Sequence, residues 1–135
     1  MRAVLDASAL LAFLLDEPGQ HKVDEVLAEA VISAVNWSEV MQQLVKRGES
    51  IAGCRSDLEA LGLSIMALDA EAAEQTAQLW PKGRSYGLSL GDKASGFTVC
   101  ERACISLGTV LEAPILTADR IWARAFPDLP IQLIR

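Results

Sequence analysis

Residues 4–11 read Val-Leu-Asp-Ala-Ser-Ala-Leu-Leu, a short apolar run that ends in an aspartate and continues as helical sequence. An acid at the end of a buried strand needs a compensating interaction, because an apolar environment disfavours a carboxylate. In a parallel sheet, ligands bind where the strands end. Three further acids recur in comparable settings. We therefore predict a carboxylate cluster that holds a divalent metal ion.

The composition limits the kind of protein that carries this cluster. The chain has 135 residues, of which 51% are hydrophobic and 22% charged, so we expect a single folded domain over residues 1–135. No apolar stretch is long enough to span a bilayer, so no membrane association is expected. The cysteines (Cys54, Cys100 and Cys104) are irregularly spaced and the one histidine is His21, which argues against a disulfide framework and a zinc site. We expect a cytoplasmic protein.

The charge balance bears on possible partners. A net charge of -6 argues against a large nucleic-acid-binding face, because affinity for phosphates comes mostly from Lys and Arg. Three basic pairs remain that could form a small rim around a metal site: Lys46 with Arg47, Lys82 with Arg84, and Arg120 with Arg124. The acidic average is equally compatible with a basic protein partner.

The chain alternates between strand and helix patterns. Continuous apolar runs with turn signals nearby predict strands at residues 2–5, 31–35, 64–68, 114–117 and 131–134. Helical patterns cover residues 20–30, 37–47, 49–61 and 70–80, with Asn36 as the N-cap of the second and Gly48 at its end. This alternation predicts a parallel sheet between helices.

Four acids have positions that suit one site. Asp6 ends the first strand, Glu39 lies in the first turn of the helix after the second strand, and Asp119 follows a later strand. Asp92 follows a loop and opens a helix. Because the carboxyl ends of parallel strands share one edge, these acids can converge there, and Mg²⁺ or Mn²⁺ would relieve their mutual repulsion. Ser8 and Thr117 could hydrogen-bond the acids from either side.

Each acid also has a purely structural interpretation. Asn36 and Glu39 have the spacing of a capping box, and Asp92 and Asp119 precede helical sequence, where aspartate is a common N-cap. Asp6 could cap the helix that starts near Ala7. Ser8 and Thr117 could equally be caps or turn formers, and the expected role of Cys100 and Cys104, four residues apart on one helix face, is packing.

Four segments together resemble a known family. They are residues 4–11, 32–40 (Ile-Ser-Ala-Val-Asn-Trp-Ser-Glu-Val), 88–92 (Leu-Ser-Leu-Gly-Asp) and 114–122 (Pro-Ile-Leu-Thr-Ala-Asp-Arg-Ile-Trp). In this order they resemble PIN-domain proteins, specifically VapC-type toxins of bacterial toxin-antitoxin pairs. The resemblance implies a three-layer α/β/α sandwich with a mainly parallel sheet of about five strands. It also implies a Mg²⁺- or Mn²⁺-dependent ribonuclease, a VapB-like antitoxin and a homodimer.

The resemblance implies site residues as well. Asp6, Glu39, Asp92 and Asp119 would be the catalytic acids, with Asp6 and Asp92 as metal ligands. One stretch departs from the family, in which the Leu-Ser-Leu-Gly-Asp block runs straight into an Arg-Ala-Cys helix. Here residues 93–101 intervene. Either Asp92 keeps the metal position and residues 93–101 are an insertion, or residues 92–100 are the insertion and Glu101 takes that position. The shorter aspartate side chain and the intact preceding block favour Asp92.

Other functions remain open. The interruption after Asp92 is compatible with a weakened or inactive PIN homologue that only binds an antitoxin. A HAD-type phosphatase is less well supported, because Ser8 stands where the second acid of its motif would be. Dinucleotide binding is not supported, since no Gly-x-Gly-x-x-Gly follows the first strand.

Overall fold

The computed structural model describes residues 2–89 and 97–135, and for residues 86–89 it describes the backbone only. The strands in these parts are β1 (Ala3–Leu5), β2 (Ala30–Ser33), β3 (Ser64–Met66), β4 (Ile115–Thr117) and β5 (Ile131–Leu133). The helices are α1 (Ala7–Leu14), α2 (Gln20–Asp24), α3 (Ala34–Lys46), α4 (Cys54–Ala60), α5 (Ala70–Ala77), α6 (Trp80–Ser89), α7 (Val99–Leu111) and α8 (Ile121–Ala125). A short 3-10 helix, Leu27–Glu29, precedes β2.

The five strands form one sheet in the order β3-β2-β1-β4-β5, and every pair of neighbours is parallel. Val4 in the central strand β1 is in register with Val31 on one side and Ile115 on the other. The chain extends the sheet from β1 through β2 to β3 and then returns to add β4 on the opposite side of β1. The strand order therefore reverses between β1 and β4, where ligands bind in open parallel sheets.

Apolar side chains cover both faces of the sheet, because neighbouring residues of a strand point in opposite directions. Leu5 belongs to one buried cluster, together with Leu10 of α1 and other residues from α2, α3 and α4. Val4 belongs to a second cluster, with Ile105 of α7 and Trp122 of α8. The result is the predicted three-layer α/β/α sandwich with a parallel central sheet.

The helix boundaries differ in places from the predicted ones. The helix after β2 begins at Ala34 and its N-cap is Ser33, whose hydroxyl accepts a hydrogen bond from the Val35 N–H over 3.4 Å. The prediction of Asn36 as N-cap was wrong, because Ser33 leaves the strand first and can make the same kind of bond. The strand predicted over residues 31–35 ends at Ser33 for the same reason.

Three other predicted helical segments contain shorter helices than expected. The pattern over residues 49–61 becomes a helix only from Cys54, after Gly53 adopts a left-handed conformation with φ of 79°. The segment at 20–30 divides into α2 and the 3-10 helix, and the segment at 70–80 divides into α5 and α6. All of the predicted strands are present, with boundaries that differ by one or two residues.

Candidate metal centre

Asp6 lies directly after β1, at the carboxyl edge of the sheet where the strand order reverses. It occupies the N-cap position of α1 with extended backbone angles, yet its side chain makes no capping hydrogen bond. The residue is only 6% exposed. The interpretation of Asp6 as a helix cap is therefore wrong for its side chain.

Two hydroxyl groups hold the Asp6 carboxylate. Ser8 donates to Asp6 Oδ2 over 2.7 Å, and Thr117 at the end of β4 donates to the same oxygen over 2.8 Å. The two hydroxyl oxygens in turn accept the N–H groups of Ala118 and Asp119, over 2.9 and 3.1 Å. These N–H groups fix the direction of both hydroxyls, since each hydroxyl has one hydrogen to give and gives it to Asp6. The predicted support of the acid by Ser8 and Thr117 is confirmed.

The electrostatic setting of Asp6 is unfavourable for a bare carboxylate. Burial raises the pKa of Asp6 from its ordinary 3.8 to about 6, and the nearby charge of Glu39 acts in the same direction. The hydrogen bonds from Ser8 and Thr117 act in the opposite direction and lower the pKa. The net rise means that this group gains most from a nearby cation.

Glu39 is the second acid at this edge, and α3 positions it. Its Oε2 accepts a hydrogen bond from Asn36 Nδ2 over 3.0 Å. The same amide group donates to the backbone carbonyl of Cys100 in α7 over 2.8 Å. Because Asn36 lies inside the helix, the capping-box interpretation of this pair was wrong, and the contact joins one side chain to the other.

Asp119 follows β4 and is connected to Asp6 through Thr117, which binds the Asp119 N–H and the Asp6 carboxylate at once. Its Oδ1 accepts a hydrogen bond from the N–H of Ile121, the first residue of α8, over 2.9 Å. The prediction of Asp119 as an N-cap was wrong, because the N-cap of α8 is Arg120 and Asp119 binds the first helical N–H from one residue earlier.

Glu101 lies in the first turn of α7 and forms a capping box with Thr98. Its Oε1 accepts the Thr98 N–H over 3.0 Å, while the Thr98 hydroxyl accepts the Glu101 N–H over 3.2 Å. Its other oxygen, Oε2, accepts a hydrogen bond from Trp122 Nε1 over 3.1 Å. Both carboxylate oxygens therefore have structural partners. Asp92, the other candidate for the third acid, lies outside the described residues.

The charges of nearby acids affect the pKa values of the two cysteines in α7. Burial raises the pKa of the Cys104 thiol well above its ordinary value, and the charges of Asp6, Glu39 and Glu101 add to the rise. Burial also raises the pKa of Cys100, with further contributions from the two glutamates. The charges of the three acids therefore act on the thiols of α7. Both thiols stay protonated at neutral pH, which suits their predicted packing role.

The donor set determines which ions could bind. In residues 2–89 and 97–135, no three His, Cys, Asp or Glu side chains are grouped closely enough to hold a metal ion. Asp6 and Glu39 are close enough for their charges to interact, and both offer carboxylate oxygens, which suit Mg²⁺ and Mn²⁺. His21 is exposed on α2.

Sequence reasoning missed two contributors to this region. Asn36 was assigned to a cap, whereas its fully buried side chain joins Glu39 to α7. Glu101 was considered only as a metal ligand, although the Thr-x-x-Glu spacing from Thr98 is the signature of a capping box and could have predicted its bond to that residue. Its bond to Trp122 has no local signal, because the two residues meet only through tertiary packing.

Comparison with known structures gives a consistent result over nearly the whole chain. A toxin-antitoxin complex from Klebsiella pneumoniae matches with a TM-score of 0.69 and 14% identity, covering 98% of each chain. VapBC-1 from nontypeable Haemophilus influenzae matches with a TM-score of 0.66 and 15% identity, covering 99% of this chain and 98% of that one. FitAcB from Neisseria gonorrhoeae matches with a TM-score of 0.66 and 17% identity, covering 98% and 97%. At these identities the likeness establishes the fold.

Two further findings concern sequence relatives and membrane-spanning helices. No curated protein matches it in sequence. In the parts that the structure describes, none of the helices has the length and apolar character needed to cross a membrane.

The family follows from the sequence itself. The family model for the PIN domain matches residues 3–125, which include Asp6, Glu39, Asp92, Glu101 and Asp119. That span runs from the start of β1 to the end of α8 and thus contains the reversal point of the sheet with its acids. This chain belongs to the PIN-domain family.

Proposed function

We propose that this protein is a metal-dependent endoribonuclease and the toxin of a VapBC-like toxin-antitoxin pair. The observation that carries the proposal is the state of Asp6. Its carboxylate is buried at the reversal point of a parallel sheet, and two oriented hydroxyls hold one of its oxygens. A carboxylate that served only the fold would not need a nearby second acid that raises its pKa further.

The residues present fit a hard divalent cation. Ser8 and Thr117 direct their hydrogens to Asp6 Oδ2, and Oδ1 takes no part in that hydroxyl network. We propose that Asp6 and Asp92 hold Mg²⁺ or Mn²⁺, while Glu39 and Asp119 complete the catalytic group. When bound, such a cation activates a water molecule and offsets charge on an RNA phosphate.

The protein's own groups then have defined tasks. Thr117 keeps Asp6 and the backbone of Asp119 in one hydrogen-bonded unit, so the two acids move together. Asn36 holds the Glu39 carboxylate against α7. Arg120 is exposed and follows Asp119 in the sequence, and we propose that it binds an RNA phosphate.

The hydrogen bonds of Glu101 decide between Glu101 and Asp92 as the third acid of the site. Because Thr98 and Trp122 each donate to a different Glu101 oxygen, moving this carboxylate onto a metal would leave two donors without their acceptor. Asp92 has the shorter side chain and follows the intact Leu-Ser-Leu-Gly block. We therefore assign the position to Asp92 and keep Glu101 as the alternative that the experiments distinguish.

The proposed partners are an antitoxin and a second copy of the chain. The matched structures include toxin-antitoxin complexes, among them VapBC and FitAcB assemblies. Large apolar side chains that a protein interface could cover are exposed by 40–57%: Val45, Ile51, Leu61, Trp80, Val99, Val110 and Ile121. The net charge of -6 suits a basic antitoxin segment.

The proposal is tested by incubating the purified, antitoxin-free protein with structured and single-stranded RNA in Mg²⁺ or Mn²⁺, with a parallel sample in EDTA. Cleavage with the metals and none in EDTA is the expected result. Metal-independent cleavage would contradict the assigned chemistry. Absence of cleavage of every RNA would favour the antitoxin-binding module. Light scattering of the same sample tests the expected homodimer.

A further inference from the structure

Asn36 connects two of the elements that surround the acids. It lies in the first turn of α3, and its amide group donates to Glu39 Oε2 over 3.0 Å and to the Cys100 carbonyl of α7 over 2.8 Å. Both acceptors contact the same atom of the amide, which must therefore be the NH₂ nitrogen, because an oxygen there would have no donor to face. Glu39 is thereby tied to α7 as well as to its own helix.

The other polar atom of the Asn36 side chain, its carbonyl oxygen Oδ1, lowers the stability of the fold. Asn36 is 0% exposed, and among the described residues its Oδ1 accepts no hydrogen bond. An unsatisfied buried carbonyl lowers stability, whereas an apolar side chain of similar size would avoid that loss. The fold alone therefore does not explain an amide at this position, but the two hydrogen bonds of its Nδ2 do.

We propose that Asn36 is a positioning residue that holds the Glu39 carboxylate beside Asp6, where Glu39 acts as a further ligand of the divalent cation bound at Asp6. Without the amide, Glu39 keeps its backbone position on α3 but loses the bond that fixes its carboxylate relative to α7 and Asp6. The inference rests on the proposed function, because it assumes that a cation binds at Asp6. It adds a residue that itself touches neither the cation nor the RNA.

The test compares Mn²⁺ binding to Asn36→Leu and to wild type by titration calorimetry, with no RNA present. Leucine branches at Cγ as asparagine does, although it is larger, and it removes both donors and the unsatisfied Oδ1. Thr76→Val is the matched control, since Thr76 is also buried but its hydroxyl donates to Ala72 of its own helix, away from the acids. Asn36→Ser, which retains one donor, is the rescue variant. Thermal unfolding of all four proteins in EDTA measures their stability separately.

We expect Asn36→Leu to bind Mn²⁺ about tenfold more weakly, as for other residues that orient metal ligands. Its melting temperature in EDTA should be no lower than that of Thr76→Val, and Asn36→Ser should recover part of the affinity. Equal Mn²⁺ affinity in wild type and Asn36→Leu would overturn the inference and leave the proposed function intact. If wild type itself bound no Mn²⁺, both would fail. If Asn36→Leu did not fold, Asn36→Ala would replace it. A folded Asn36→Ala variant that bound Mn²⁺ as tightly as wild type would overturn the inference.

Discussion

The Thr117 hydroxyl lies 2.8 Å from Asp6 Oδ2, although the two residues are 111 positions apart in the chain. The contact joins the end of β4 to the end of β1, the two strands between which the sheet order reverses. The same hydroxyl accepts the N–H of Asp119. Thr117 therefore couples two of the proposed catalytic acids.

Replacing Thr117 by valine should impair the site without disturbing the core. Valine keeps the branched shape but removes the donor to Asp6 and the acceptor for Asp119, so we expect RNA cleavage to fall by about 10- to 100-fold. Thr117→Ser should restore most of the activity. Thr109→Val is a matched control, because that hydroxyl only bonds Ile105 within α7. Equal activity of Thr117→Val and wild type would contradict this role.

The raised pKa of Asp6 predicts how stability depends on pH in metal-free protein. Between pH 3.8 and about 6 the folded state binds more protons at Asp6 than the unfolded state does, so stability falls as pH rises through this window. The full difference corresponds to about 3 kcal/mol, at about 1.4 kcal/mol per pKa unit. Above the window this group causes no further change.

Urea unfolding of wild type and Asp6→Asn in EDTA measures this effect. The variant lacks the titrating group, so it should gain stability relative to wild type as pH rises from about 4 to about 7. Adding Mn²⁺ at the higher pH should stabilise wild type and not the variant. A constant difference between the two proteins across this range would show that Asp6 does not titrate with a raised pKa.

Substitution of the two candidate third acids distinguishes them. Asp92→Asn should abolish metal-dependent cleavage. Glu101→Gln should retain it but lower the free energy of unfolding by about 1 kcal/mol, because the glutamine NH₂ would face one of two donors, the Thr98 N–H or Trp122 Nε1. Cleavage assays and urea unfolding of both variants provide the comparison. The reverse pattern would assign the metal position to Glu101.

The packing of α7 on the sheet should be sensitive to a single methyl group. A Cβ at Gly108 would overlap the side chain of Ile115, which is fully buried in β4. We expect Gly108→Ala to lower the free energy of unfolding by about 1–3 kcal/mol. Gly48→Ala is unsuitable as a control because Gly48 has φ of 79°, so Ser106→Ala, a change of similar size on the same helix, serves instead. An undiminished stability of Gly108→Ala would contradict this close packing of α7 on β4.

The sequence was sufficient to predict the parts of the fold that follow from local patterns. The apolar runs predict every strand, and the strand-end position of Asp6 predicts its place at the ligand edge. Ser8 and Thr117 could be anticipated because they are small polar residues next to predicted acids. Their common target, one oxygen of Asp6, depends on which strands become neighbours.

Other features required the tertiary structure. Ser33 and Asn36 are both good N-caps three residues apart, and local preference does not decide between them. The bonds of Asn36 to Cys100 and of Glu101 to Trp122 join distant parts of the chain. Asp92 lies outside the described residues, so its assignment rests on the sequence pattern and on the hydrogen bonds that occupy Glu101.

The most direct test of Asp6 as a catalytic residue is RNA cleavage by Asp6→Asn, compared with wild type and Asp16→Asn in Mn²⁺. Both substitutions remove one carboxylate charge, but Asp6 is buried at the carboxyl edge of the sheet while Asp16 is exposed and has a φ of 59°, which asparagine also adopts. We expect Asp16→Asn to cleave like wild type and Asp6→Asn, shown to be folded by circular dichroism, not to cleave. Undiminished cleavage by Asp6→Asn would contradict the assignment of the catalytic centre to the carboxyl edge of the sheet.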